Sequence, residues 1–180
     1  MSNNEQAKQQ AEAQLQSILF MVEALNCNYD RLEELQEELD DLGDAIDDLD
    51  PLEASNTYAE AVQDLANWDK ENGEELQELR DEAGECKDRD EALEHITDDA
   101  LDVAVRSGWS TPGELEAEEY VILLCTGGPA VRIRGELNSY KEPKSAWLEY
   151  QDWGTPWEVL RLGADEAAVL MYARCFFFGE

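Results

Sequence analysis

From Leu32 the apolar residues fall at Leu35, Leu39, Leu42, Ile46 and Leu49, a 3-4-3-4-3 spacing. On a helix this places them along one narrow stripe, the seam of a coiled coil. Read backwards, the stripe continues through Leu25, Met21 and Ile18, with Asn28 as a polar interruption and Leu15, Val22 and Tyr29 widening it. No proline precedes Pro51, and Gly43 is the only glycine before it. The pattern predicts one helix from Asn4 to Leu49, about 70 Å long at ~1.5 Å per residue.

Asp50-Pro51 reads as a stop and a restart, because aspartate caps a helix well and proline is tolerated in its first turn. A second helix is predicted from Pro51 or Asn56 to Cys86, with Tyr58, Ala61, Leu65, Trp68, Leu76, Leu79, Ala83 and Cys86 on its stripe. The phase slips across Asn72-Gly73, where a kink or break is expected. Two helices joined by a tight turn lie antiparallel, seam to seam. A third helix is predicted from Arg89 to Arg106, carrying Leu93, Ile96, Ala100 or Leu101, and Ala104 inward. Ser107 to Gly113 is a loop by composition.

Past Tyr120 the period changes from helical to alternating. Tyr120–Thr126 and Ala130–Leu137 read as strands joined by a hairpin at Gly127-Gly128, with Val131 and Ile133 on one face and Arg132 and Arg134 on the other. Ser145–Trp153 reads as a third strand and Trp157–Leu162 as a fourth. Ala164–Phe176 reads as a closing helix with Ala168, Leu170, Met171 and Phe176 inward. The fold class is therefore α+β: a long antiparallel helical hairpin and a third helix, then a small antiparallel sheet with a C-terminal helix. The domains expected are 1–106, acidic and helical, and 120–180, small and α+β, with 107–119 as a linker.

Charge changes this picture. The 180 residues hold 44 acids against 13 bases, a formal net of −31. Residues 1–119 carry 36 acids and 7 bases, a net of −29, whereas residues 120–180 carry 8 acids and 6 bases. Acidity serving only solubility would be spread evenly, so the segregation points to a surface made to meet a basic partner. Direct binding of nucleic acid or an anionic membrane by this region is disfavoured by like-charge repulsion.

The acids sit at the non-seam positions: Asp30, Glu33, Glu34, Glu37, Glu38, Asp40, Asp41, Asp44, Asp47, Asp48 and Asp50, with Arg31 the only base among them. One base cannot supply the (i, i+4) salt bridges of a stability-driven surface. Eleven charges over about 30 Å give one per ~2.8 Å of helix, close to the ~3.4 Å between phosphates along one DNA strand. A second set follows at Glu74, Glu75, Glu78, Asp81, Glu82 and Glu85 and continues into the third helix. These acids are the candidate partner-binding residues. A row of like charges would repel a copy of itself, which disfavours parallel self-association through this surface. The aromatic C-terminal unit could instead supply a homodimer contact. Trp147, Trp153 and Trp157 form a candidate aromatic anchor, Trp147 and Trp153 sharing a face by strand parity and Tyr150 pointing away.

Other chemistries find little support. Asp44, Asp47 and Asp48 lie on a helix, which cannot wrap calcium with six or more oxygens, so no metal site is expected. The sole histidine, His95, lies beside the Leu93/Ile96 stripe and reads as structural. No nucleophile elbow, phosphate loop or HExxH zinc motif is present, so neither an enzyme nor a cofactor is expected. Cys27, Cys86, Cys125 and Cys175 form no CxxC pair and read as reduced thiols. With no signal peptide or apolar stretch long enough to span a bilayer, a cytoplasmic location is expected.

The helix-borne acids on a small chain without catalytic motifs resemble the DNA-mimic proteins of phages and mobile elements, over about residues 23–119. Those proteins inhibit restriction enzymes, CRISPR effector complexes or other nucleic-acid-binding machines of the host. The resemblance is one of charge pattern. It implies an inhibitor that occupies the basic groove of a DNA- or RNA-binding protein inside a bacterial host cell. A structural or adaptor coiled coil, and an acidic chaperone for a basic protein, are the readings from other classes.

Overall fold

The computed structural model describes residues 3–49, 55–109, 111 and 116–179. It is α+β, as expected. In chain order, α1 (Asn3–Asn26), α2 (Tyr29–Asp47), α3 (Ser55–Ala83) and α4 (Arg89–Asp99) precede β1 (Asp102–Ser107), β2 (Ala117–Cys125), β3 (Ala130–Glu136), β4 (Trp147–Gln151) and β5 (Glu158–Val159). A single 3-10 turn at Gly163–Asp165 leads into α5 (Glu166–Ala173). The chain divides into two compact units, Met1–Leu25 with Asp90–Glu180, and Asn26–Arg89.

The long first helix of the sequence reading is two helices. The polar interruption is the reason: Asn28 leaves helical geometry (φ −84°, ψ 79°) and its side-chain oxygen accepts the Arg31 N–H at 3.3 Å, capping α2. The stripe therefore serves two cores. Ala7, Ala11, Leu15, Ile18, Val22 and Leu25 of α1 are buried with the sheet, whereas Leu35 of α2 is buried with Cys27, Leu76, Leu79 and Ala83. The Asp50-Pro51 turn lies outside the described residues. The kink expected at Asn72-Gly73 is not a break, since α3 runs through it without interruption. Gly84, with φ +60°, ends α3 by donating its N–H to Arg80 O at 3.1 Å in a left-handed turn open to glycine.

The third predicted helix is half strand. α4 stops at Asp99, and Asp102–Ser107 is β1. The alternating, β-branched run Asp102-Val103-Ala104-Val105 pairs with β2, and this pairing wins over the helical period that Ala104 had suggested. Residues 107–119, read as a linker, join β1 to β2 inside the first unit, and Ala117–Glu119 already belong to β2.

The five strands form one antiparallel sheet in sequence order, β1-β2-β3-β4-β5. Its inner face carries Tyr120, Ile122, Leu124, Val131, Ile133, Leu148 and Tyr150, packed with α1, Ile96 of α4, and Val169, Tyr172 and Ala173 of α5. Gly135 is required where β3 passes this core: a Cβ there would overlap Ser145 O and the Tyr120 ring, whose hydroxyl donates to that same oxygen at 2.8 Å. Ala168, Leu170 and Phe176 pack against this core, as expected of the closing helix. Val169, Tyr172 and Ala173 are its buried residues, and Met171, expected inward, is exposed. Tyr172 donates its hydroxyl to Asp99 at 2.7 Å, tying α5 to the end of α4.

Candidate partner-binding surface

The second unit is a hairpin of α2 against α3. Cys27 Sγ donates to Leu79 O at 3.5 Å, Arg31 reaches Glu75, and Trp68 Nε1 donates to Glu38 at 2.8 Å. Partners climb one helix as they descend the other, so the two are antiparallel. The core between them is thin: Cys27, Leu35, Leu76, Leu79 and Ala83, flanked by Tyr29, Leu32, Leu39 and Trp68. Burial pushes the Cys27 thiol up, and Glu82 adds to it. Burial likewise pushes the Tyr29 hydroxyl to about 12, assisted by the neighbouring Cys86 and Cys27.

At about 100° per residue, the acids of α2 fill the half of the helix opposite Leu32, Leu35, Leu39, Leu42 and Ile46. Glu74, Glu75, Glu78, Asp81 and Glu82 lie opposite Leu76, Leu79 and Ala83 in the same way. Because the seams face each other, the two rows stand back to back on opposite flanks of the hairpin. Asp30, Glu33, Glu34, Glu37, Glu38, Asp40, Asp41, Asp44, Asp47 and Asp48 are all exposed, as are Glu74, Glu75, Glu78, Asp81, Glu82 and Glu85. Asp50 lies outside the described residues. From Asp30 to Asp48 the ten carboxylates span about 27 Å of helix axis. Neighbours this close fall well inside the ~8 Å screening length at physiological salt and act as one field.

Little on the hairpin neutralises that field. Over residues 26–89 there are 23 acids and 5 bases, a net of −18. Arg31 is the one base of α2, and it bridges Glu34 at 2.8 Å and Glu75 at 3.0 Å. The Arg31 hydrogen bond holds the Glu75 carboxyl below its usual range. Glu38 is engaged by Trp68, while Asp40 and Asp81 accept from Gln36 and Gln77 along their own helices. Glu33, Glu37, Asp41, Asp44, Asp47, Asp48, Glu74, Glu78 and Glu82 have no ion pair or side-chain hydrogen bond among the described residues.

The aromatic anchor is not assembled as the sequence suggested. β4 ends at Gln151, so Trp153 lies beyond the strand in the following turn and packs against Gly128, where even a Cβ would collide with the indole. Strand parity therefore does not reach it. Trp147 stands on the outer sheet face opposite Arg134, and Tyr150 is buried on the inner one. Trp157 lies under the Arg132 guanidinium, 3.9 Å from its ring centroid. That contact belongs to a set of arginines on the outer face; the sequence pattern placed Arg132 and Arg134 there without their partners, whereas Arg106 was expected to end a helix. Arg132 bridges Glu149 at 2.6 Å, and Glu119 takes both Arg106 at 2.6 Å and Arg134 at 2.9 Å. Burial raises the Glu119 carboxyl, but Arg134 and Arg106 outweigh it and hold it below the usual range. The signal for these pairs was the opposed charge on adjacent strands, readable only once the register is known.

Compared with protein-family models, curated proteins and solved structures, the chain matches none. No helix among the described residues is long and apolar enough to cross a membrane.

Proposed function

We propose that this protein is a nucleic-acid-mimicking inhibitor that occupies the basic groove of a DNA- or RNA-binding protein, of the anti-restriction or anti-CRISPR kind that phages and mobile elements encode. The observation that carries the reading is the exposed carboxylate row on α2, spaced close to a phosphate backbone and, among the described residues, ion-paired from within only at Glu34, through Arg31. Helices fix the spacing, so a complementary groove meets charges already in place and binding costs little ordering. Association would release the counterions held by both surfaces and weaken steeply with salt. The mechanism is stoichiometric occlusion without turnover.

The test is capture from bacterial lysate at low salt, elution along a salt gradient, and competition with duplex DNA or RNA for the captured protein. Displacement of nucleic acid from one folded target supports mimicry. Retention of many unrelated basic proteins would make the chain an acidic chaperone. A partner that still binds after the acids are reversed would make it an adaptor.

A further inference from the structure

The sheet has two unlike edges. At one, β5 is two residues long and follows Pro156, which leaves little backbone to pair. At the other, β1 has six residues, no proline, and exposed side chains from Asp102 to Arg106. Edges of this length are normally blunted by charge, proline or a covering element.

The direction of the β1 backbone follows from the pairing. Leu137 N–H donates to Glu118 O at 2.8 Å, so Glu118, Tyr120 and Ile122 turn their backbone groups to β3. Glu119, Val121 and Leu123 then face β1, opposite Arg106, Ala104 and Asp102. Val103 and Val105 are left with N–H and C=O directed to the open edge. Their side chains lie on the same sheet face as Ile122 and Tyr120, yet are 38% and 50% exposed. Asp102 and Arg106 lie on the opposite face, one at each end of the strand.

We infer that β1 pairs antiparallel with β1 of a second copy about a twofold axis at Ala104, joining two sheets into one of ten strands. This register is the one the strand itself specifies. Val103 faces Val105 of the other copy, so the outward backbone groups meet as hydrogen-bonded pairs, and the two valines extend each other's apolar strip. Asp102 faces Arg106 of the other copy at a non-hydrogen-bonded position, where side chains approach most closely. The contact is isologous, each copy giving what it receives. Ala104 at the axis brings only a methyl group to the contact. A shift of the axis by one residue would set Asp102 opposite Ala104, or Ala104 opposite Arg106, and lose both charge pairs. The inference is independent of the inhibitory role, because it uses none of the hairpin acids.

Each copy brings a net charge of −31, so screening by salt should strengthen the dimer, the opposite of its effect on a basic partner. The test is sedimentation equilibrium of the full chain at moderate salt, with hydrogen exchange at Val103 and Val105. A dimer is expected, with both amides protected more strongly as concentration rises. Asp102→Arg and Arg106→Asp should each weaken self-association by about ten-fold, from two cross-strand pairs turned repulsive. The two variants mixed should pair with each other, since every like-charged contact then becomes opposite, and native mass spectrometry would show the heterodimer. A chain that stays monomeric at the highest soluble concentration overturns the inference. So do a dimer insensitive to Asp102→Arg, single variants that show no preference for each other, and Val103 and Val105 amides that exchange freely.

Discussion

The two units of this chain handle charge in opposite ways. On the outer sheet face, Arg132, Arg134 and Arg106 each meet a glutamate on a neighbouring strand, and Trp157 covers one of them. On the hairpin, acids outnumber bases by more than four to one, and among the described residues most have no ion pair. The cores differ in the same sense. The first unit buries α1, both aromatic and aliphatic sheet residues, and α5 in one cluster, whereas the hairpin closes over five buried residues. A surface that minimised its own energy would not pair the thinnest core with the strongest self-repulsion. The contrast is what the proposed role requires: a hairpin surface kept for a basic partner, and a sheet whose charges serve its own fold.

Reversing Glu33, Glu37, Asp40 and Asp44 to lysine attacks that contrast most directly. If the row acts as a phosphate backbone, a captured target should lose more than about a hundred-fold in affinity, as four counterion-releasing contacts become repulsive. A titration at fixed salt measures it, and retained affinity would dissolve the functional distinction between the units. Leu35→Ala comes next. It removes the best-buried side chain of the smaller core and should cost about 2–5 kcal/mol, enough to melt the hairpin separately. Circular dichroism should show lost helix while the Tyr120 and Tyr172 environments persist; a single concerted transition would mean the two units fold as one. Tyr172→Phe tests the larger core through one bond. Losing the hydroxyl that Asp99 accepts should cost about 1 kcal/mol, seen as a modest fall in the sheet unit's melting point.

Two milder perturbations sharpen the comparison. Added salt should raise the hairpin's melting temperature by screening its acids and change the sheet unit much less. High pH should cost both units stability, the sheet unit more, because burial raises the Tyr120 and Tyr172 hydroxyls there as it raises Tyr29 in the hairpin. Burial holds Tyr29 neutral up to about 12, against an ordinary value of 10.0. Its stabilising contribution is complete below pH 10 and falls as pH climbs toward 12. Helicity followed alongside tyrosinate absorbance should track that window, and Tyr29→Phe should flatten it.

Much of this fold was legible in the hydrophobic pattern, and the exceptions have physical causes. The α2 seam and its acids were readable because an exposed amphipathic helix obeys its period with few competing demands. Asn28 was visible as a polar interruption, but whether it sits in a seam or caps a new helix depends on which core each side of it joins. β1 was hidden because Ala104 and Leu101 fit both periods, and β2 decided between them. Trp153 was assigned by parity, which holds only as far as the strand extends. Arg132 and Arg134 were placed on the correct face, yet their partners depended on inter-strand register, a property no single strand encodes.

The break at Asn28 has an architectural result. Because α1 belongs with the sheet, the sequence of the first unit is interrupted between Leu25 and Asp90, and the whole acidic hairpin is an insertion within it. Its two ends return to one place: Tyr29 and Cys86 line the same cleft. Such an insertion is a cassette. Lengthening α2 and α3 by matched turns would lengthen the carboxylate rows within a segment that has its own core, so under the proposed role the contact surface could be retooled by changing that segment alone.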